Sequence, residues 1–210
     1  MAVGRFVELG SATPLSAGAG RALARRAWHG RVCAPTPLRQ RAEQFAASAP
    51  QVPGRVQQLG RFEAPAAWQL LSTCLPLQAG QGLRPSFEWY ACRGAGFHTD
   101  AHYDSVLFGA WCLAGPAREL VLAQRGLRLA CAVDDLVVFD PFEPHAVLDS
   151  GQPLYEREHY CGAPASVFLG FEIELIDPVR ERFRIGPAEP GAFAICGSTA
   201  VNAETGAIVR

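Results

Sequence analysis

The feature that most constrains the fold is a series of short apolar segments between residues 86 and 176. Six segments of four to ten residues are rich in valine, leucine, phenylalanine and tryptophan: SFEWYAC, SVLFGAWCL, ELVLA, LRLACAV, LVVF and SVFLGFEIEL. Glycine, proline or aspartate bounds each of them, which is typical of β-strands separated by turns. No helix-length segment interrupts the series, which argues against a parallel α/β sheet. The sequence therefore predicts an all-β barrel or jelly roll.

The flanking regions have a different texture. Three segments of the first 85 residues predict helices, namely AGRALARRAWHGR, PLRQRAEQFAAS and APAAWQLLSTCL. The arginines of the first segment are expected on a solvated helix face. Near the end, TAVNAETGAIV predicts two strands around a turn. We therefore expect one domain, with a helical support region at 1–85, a jelly-roll catalytic core at 86–176 and a C-terminal extension with a β-hairpin at 177–210.

Composition excludes several classes of function. A chain of 210 residues with a formal net charge of -1 has no overall positive field to attract nucleic acid or an anionic membrane. Neither a glycine-rich phosphate loop nor a GxSxG elbow is present, and no apolar run approaches the ~20 residues that a membrane span needs. We expect a small-molecule substrate, no nucleic acid and no membrane. The sequence does not indicate an oligomeric state.

The cysteines indicate a reducing compartment. Seven cysteines are scattered singly and no CxxC pair occurs. An odd number without metal-site spacing predicts reduced thiols rather than a disulfide framework or a zinc knuckle. We therefore expect a cytoplasmic protein.

The chemistry of the chain concentrates in GFHTDAHYD, residues 96–104, which contains two of the five histidines. His98 and Asp100 are two positions apart, so on an extended strand their side chains point to the same face. The best third member is His145, which follows an apolar strand and a proline-rich turn. Two imidazoles and one carboxylate form the facial triad of non-haem Fe(II) oxygenases, and without a thiolate the set favours Fe(II) or Mn(II) over structural zinc. His102 is an alternative ligand or a substrate contact.

These motifs resemble those of the Fe(II)- and 2-oxoglutarate-dependent dioxygenases over roughly residues 86–176. FEWYACRGAGFHTD is similar to the strand, glycine turn and HxD motif of that family. DDLVVFDPFEPHAVLDSG is similar to the strand that leads to the family's distal histidine, with Asp134 where glycine is common. The resemblance implies a double-stranded β-helix, with Fe(II) held by His98, Asp100 and His145. It also implies that O₂ and 2-oxoglutarate are consumed, giving succinate, CO₂ and a hydroxylated small molecule.

The residue that would anchor the cosubstrate in that family is displaced in this chain. The resemblance implies a basic residue about ten positions after the distal histidine, because a guanidinium pairs well with the far carboxylate of 2-oxoglutarate. The strand SVFLGFEIEL has no arginine. Arg157 is the nearest candidate, Arg118 is an alternative, and Tyr90 could offer its hydroxyl.

Two other functions remain open from the sequence. A cupin-type metalloenzyme would use His98, His102 and His145 without 2-oxoglutarate, although no HxH pair is present. A non-catalytic β-sandwich binding protein would use the histidines structurally. Uptake of Fe(II) by the purified protein separates the binding protein from the two enzymes.

Overall fold

The computed structural model describes residues 3–10, 14–18, 20–50 and 52–209, and the fold is mainly β. In chain order, the strands of the first half are β1 (Val3–Glu8), β2 (Leu15–Ala17), β3 (Arg21–Ala22), β4 (Arg26–Arg31), β5 (Val56–Glu63), β6 (Leu83–Cys92), β7 (Ala95–His98) and β8 (Val106–Ala114). Those of the second half are β9 (Arg118–Leu122), β10 (Leu127–Cys131), β11 (Asp135–Phe139), β12 (His145–Asp149), β13 (Ser166–Glu174), β14 (Phe193–Ile195), β15 (Ala200–Val201) and β16 (Ile208–Val209). The α-helices are α1 (Thr36–Ser48), α2 (Pro65–Cys74) and α3 (Asp177–Phe183).

Two antiparallel sheets form the body of the molecule. The larger has seven strands in the order β1-β4-β11-β8-β13-β6-β5, and the smaller has four in the order β10-β9-β12-β7. Consecutive strands from β6 to β13 alternate between the two sheets, except that β9 and β10 form a hairpin in the smaller one. The residues between the two sheets therefore come from segments that are far apart in sequence.

All six strands that the sequence predicts between residues 86 and 176 are confirmed, as β6, β8, β9, β10, β11 and β13. Side-chain alternation explains why they stand out. In β6, Trp89 packs on the helix side, stacked on Phe62 at 5.5 Å, while Tyr90 faces the space between the sheets. Because both faces of the larger sheet are covered at its centre, the central strands β8, β11 and β13 are apolar almost throughout.

One predicted helix is wrong. Residues 20–31 of the segment AGRALARRAWHGR hold β3 and β4 instead of a helix. Its alanines favour a helix locally, but β4 pairs with both β1 and β11, and Trp28 is buried in the core. Pairing and burial outweigh the local propensity, so the first 85 residues supply β1, β4 and β5 to the larger sheet.

The other two predicted helices are confirmed, and prolines set their bounds. α1 has Pro37 in its first turn and is followed by Ala49, while α2 starts with Pro65 and is followed by Leu75. Ala49 and Leu75 are extended because each precedes a proline. The two helices pack on the outer face of the larger sheet. No helix of the described residues is long and apolar enough to cross a bilayer.

Asp134 occupies an unusual backbone conformation just before β11. Its φ is +77°, in the region that favours glycine. The carboxylate accepts hydrogen bonds from the Ala34 amide at 3.2 Å and from Arg39 at 2.6 Å. These contacts hold the Asp134 side chain in place at this positive φ.

The C-terminal hairpin is confirmed as β15 and β16. Its turn lies against the smaller sheet, because the Phe97 amide donates to the Ala203 carbonyl at 2.8 Å and the Tyr155 amide donates to the Glu204 carbonyl at 3.0 Å. The turn thereby contacts the strand that carries His98.

Candidate metal centre

A cavity of about 570 Å³ lies between the two sheets. Its wall is mostly apolar and includes side chains from both sheets, such as Leu120, Val137, Val147 and Phe168. Polar groups gather toward one part of it, among them His98, Asp100, His102, Tyr103 and His145. The volume suits a small organic molecule.

Strand pairing places two histidines side by side. His98 is the last residue of β7, His145 is the first residue of β12, and the two are direct antiparallel partners. Their ring centroids are 4.4 Å apart. Residues opposite each other on one sheet face are close neighbours, so the sheet itself brings together the ends of two motifs separated by 46 residues of chain.

Backbone carbonyls fix the orientation of both rings. The Nδ1 atom of His98 lies 2.8 Å from the carbonyl oxygen of Gly96, and that of His145 lies 2.9 Å from the carbonyl oxygen of Glu143. Because a carbonyl only accepts, each Nδ1 carries a proton and donates it. Each Nε2 is therefore left with a lone pair, and this is how protein structures commonly prepare a histidine to bind a metal.

Asp100 completes the cluster from a loop. The expectation of an extended strand through Asp100 is wrong, since β7 ends at His98. Asp100 lies instead at the start of a turn, where its carbonyl accepts from the Tyr103 amide at 3.0 Å and its amide donates to the Pro141 carbonyl at 2.9 Å. Its Oδ2 atom lies 3.9 Å from Nε2 of His98 and 3.6 Å from Nε2 of His145.

The three side chains fit a metal ion. Their ligand atoms all lie within 4.8 Å of one another. In the described part of the chain, no other group of three histidine, cysteine or acidic side chains is as close together. Ligands at about 2 Å from one ion are separated by roughly 3 to 4 Å, so a small closure of the cluster would bring all three into contact with one ion.

Burial keeps His145 neutral. Its side chain is 5% exposed. Burial, and secondarily the nearby His98, lower the pKa of His145 from 6.5 to about 4. At neutral pH its Nε2 therefore holds no proton that a metal would have to displace.

The loop before His145 is held by buried ion pairs. Asp140 accepts two hydrogen bonds from Arg21, at 2.6 and 3.1 Å, and a third from the Ala24 amide at 3.0 Å. Glu143 pairs with Arg125 at 3.0 Å, and burial raises the pKa of Glu143 to about 7. The expectation that Arg21 lies on a solvated face is wrong, because only 7% of its side chain is exposed.

His102 and Tyr90 both line the cavity, in different roles from the metal cluster. His102 is exposed and does not belong to the cluster of three ligand atoms. The Tyr90 hydroxyl donates to Glu88 at 2.8 Å and lies 3.4 Å from the Tyr103 hydroxyl. Tyr90 thus faces the cavity with its proton already engaged.

The structure does not bring either predicted arginine to the cavity. Arg157 is exposed on a short 3-10 helix, Arg157–Tyr160, in the loop that leaves the sheet after β12. Arg118 is buried beyond the cavity wall, where it forms an ion pair with Asp149 and donates to the Pro164 carbonyl at 2.9 Å. Neither guanidinium is among the groups that line the cavity.

Several polar residues of the cavity wall, Arg55 and Tyr155 among them, were not predicted from the sequence. Arg55 follows the Pro53–Gly54 turn before β5, and Tyr155 lies in the loop after β12. Both are in loops that carry no motif, so only their position in the fold identifies them.

This chain is similar to a solved structure of a named enzyme. No protein-family model matches the chain, and no protein with a curated description matches it. Among solved structures, the crystal structure of a Pseudomonas putida prolyl-4-hydroxylase is similar, with 18% identity and a TM-score of 0.41 over 66% of this chain and 84% of that one. At these values the likeness identifies neither the fold nor the reaction.

Proposed function

We propose that this chain is a non-haem Fe(II)-dependent oxygenase that acts on a small molecule, with His98, Asp100 and His145 as the metal ligands. The observation that carries the proposal is the pairing of His98 with His145 on adjacent strands, with both Nε2 atoms free and the Asp100 carboxylate beside them. Three protein ligands on one side of an ion leave other positions open for reactants.

The order of strands supports a double-stranded β-helix as the scaffold. β6, β8, β11 and β13 are neighbours in the larger sheet, while β7, β9, β10 and β12 form the smaller one. Such alternation is expected of a jelly roll, in which successive strands cross between two sheets. The metal ligands would then lie at the open end of the space between the sheets.

The donor set favours iron as the metal. Two imidazoles and one carboxylate suit Fe(II), and no cysteine belongs to the cluster. Bound there, Fe(II) would supply the activation of O₂ for oxidation of a C–H bond. The resemblance of the two motifs adds 2-oxoglutarate as the cosubstrate, although neither Arg157 nor Arg118 faces the cavity to hold its far carboxylate.

The residues of the chain would contribute orientation and a dry environment. The Gly96 and Glu143 carbonyls hold the histidine rings. The apolar wall around Leu120, Val137 and Phe168 would limit the access of water to a bound substrate. His102 and Tyr103 border the cluster where a substrate would enter. The protein would thus position one carbon of its substrate against the metal.

Anaerobic titration of the purified protein with Fe(II) tests the proposal. We expect one equivalent to bind, and at least a hundredfold weaker binding in His145→Ala and Asp100→Ala. His102→Ala is the matched control, since this histidine lines the same cavity outside the cluster, and it should retain the metal. No uptake by the wild-type protein would rule out an iron enzyme and favour a binding protein.

A second titration tests the cosubstrate. Addition of 2-oxoglutarate to the Fe(II)-loaded protein should produce a weak visible charge-transfer band, because the 2-oxo acid chelates the metal through its keto acid group. Iron binding without the band would favour a cupin-type enzyme that does not use 2-oxoglutarate. Loss of metal in His102→Ala with retention in Asp100→Ala would favour the cupin ligand set of His98, His102 and His145.

A further inference from the structure

No buried arginine of the described residues lines the cavity. Among the described residues, Arg55 is the arginine that lines it, and the chain contains no lysine. A carboxylate that entered the cavity would therefore find neither Arg157 nor Arg118. Any partner for an anionic ligand has to come from another part of the wall.

Arg55 is free to bind such a ligand. Its side chain is exposed and makes no hydrogen bond or ion pair with the described residues. The preceding Gly54 is fixed to the smaller sheet, because its amide donates to the Gly94 carbonyl at 2.9 Å and it forms a bridge with Ala95. Ala95 is three residues before His98, or roughly 10 Å of extended strand. The backbone beside Arg55 is thus joined to β7, the strand that carries His98.

Tyr155 provides an independent sign of a ligand. The residue is 7% exposed and lines the cavity, and its hydroxyl is buried without a hydrogen-bond partner among the described residues. Its ring is fixed by stacking on Tyr160 at 5.4 Å. A buried hydroxyl without a partner costs stability, so its retention here points to a group that the hydroxyl binds.

Tyr155 packs against Gly54, the residue next to Arg55 in the chain. Gly54 has a φ of +83°, and a Cβ atom at this position would collide with the Tyr155 hydroxyl. Because Gly54 has no side chain, the Tyr155 hydroxyl can lie directly against it. Arg55 and Tyr155 both line the same cavity, and a neutral hydroxyl donor together with an unpaired guanidinium is a suitable pair for a carboxylate.

We propose that Arg55 and Tyr155 form a carboxylate-binding subsite of the cavity. The subsite would bind a small molecule whose other end lies at the His98–Asp100–His145 cluster, and this part of the inference rests on the proposed function. The carboxylate belongs either to the far end of a 2-oxo diacid cosubstrate or to the substrate. Tyr155 donates a hydrogen bond to it and Arg55 neutralises its charge.

The first arm of the test compares two 2-oxo acids on the Fe(II)-loaded protein without oxygen. 2-Oxoglutarate and 2-oxopentanoate share a chain length and differ by the far carboxylate. If the subsite holds this carboxylate, the wild type should prefer 2-oxoglutarate at least tenfold in Kd. Arg55→Gln should remove the preference, and Tyr155→Phe should reduce it severalfold. Arg157→Gln, an exposed arginine outside the cavity, should leave it unchanged.

The second arm uses pentanoate, with pentanamide as the uncharged control, on the metal-free protein. Calorimetry should show that pentanoate binds more tightly than pentanamide, and that Arg55→Gln removes the difference while Arg157→Gln does not. A response in this arm alone assigns the subsite to a substrate carboxylate. Because no metal is present, this arm judges the subsite even if the wild type takes up no iron.

The proposal is overturned if neither arm depends on Arg55, or if Arg157→Gln has the same effect as Arg55→Gln. Circular dichroism of each variant ensures that a loss of binding is not a loss of fold. Tyr155→Phe keeps the ring and its stacking on Tyr160, so its effect reports on the hydroxyl alone.

Discussion

The two faces of the seven-stranded sheet differ in what they pack against. The outer face contributes Phe87, Trp111 and Leu169 to a core shared with the helices, and each is at most 1% exposed. The inner face contributes Tyr90, Val137 and Phe168 to the wall of a cavity of about 570 Å³. The same strands supply both sets, because alternate residues point to opposite faces.

This difference separates stability from function within single strands. In a close-packed interior, each lost contact lowers the free energy of unfolding. A side chain on the wall of a cavity already lacks some of these contacts. We therefore expect the outer face to determine the free energy of unfolding. The inner face should determine what the protein binds.

The largest difference should come from two adjacent residues of β13. Leu169→Ala should lower the free energy of unfolding by about 3 kcal/mol, because Leu169 is fully buried on the packed face. Phe168→Ala should cost less than half of this, although it removes a larger side chain, because its ring borders the cavity. Urea unfolding of both variants measures the difference. Equal losses would show that both faces are packed alike.

Adding a larger side chain should lower the free energy of unfolding more on the packed side of the sheet than on the cavity side. Ala67→Leu, at a fully buried position of α2, should cost about 2 kcal/mol by overpacking. Ala110→Leu, on the cavity wall, should change the free energy of unfolding by less than about 1 kcal/mol, because the new side chain has space. The same unfolding assay measures both. A large loss in Ala110→Leu would mean that the cavity closes in solution.

A smaller effect should distinguish the faces by pH. His145 belongs to the cavity side, and burial lowers its pKa from 6.5 to about 4. Between these pH values the unfolded chain binds a proton at His145 that the folded protein does not bind. The free energy of unfolding is therefore unaffected by this proton above about pH 6.5 and decreases as the pH falls toward 4.

Metal-free protein should therefore be less stable at about pH 5 than at about pH 7.5, and His145→Gln should lose less stability over this interval. His102→Gln, a histidine at the exposed part of the cavity, is the control and should behave like the wild type. Urea unfolding with a chelator present measures the change. Parallel pH dependence in wild type and His145→Gln would contradict the assigned shift.

The fold was predictable where local pattern and tertiary environment agree. Strands such as β8 and β13 are long, apolar and bounded by turns, so their sequence alone indicates them. The segment 20–31 was not predictable, because its alanines favour a helix and only pairing with β1 and β11 makes it a strand. Nor was β12 predicted as a strand, because the sequence marks it only as the stretch after a proline-rich turn and its strand depends on pairing with β7 and β9.

The candidate site was predictable in part for a similar reason. The HxD spacing and the histidine after a proline-rich turn are local patterns, so His98, Asp100 and His145 could be found in the sequence. Other parts of the cavity wall come from loops without a motif. Arg55 and Tyr155 lie 100 residues apart in the chain, and no local pattern connects them.

The turn at Ala203 and Glu204 gives the cavity a late position in folding. Ala203 and Gly54 both line it, although about 150 residues separate them in the chain. Contacts of such long sequence separation form slowly, because a large loop must close first. During synthesis, the sheets can begin to assemble before the turn has been made. Because Ala203 belongs to the cavity wall, we expect the wall to be complete only once the turn has docked beside Phe97, after most of the sheets have formed.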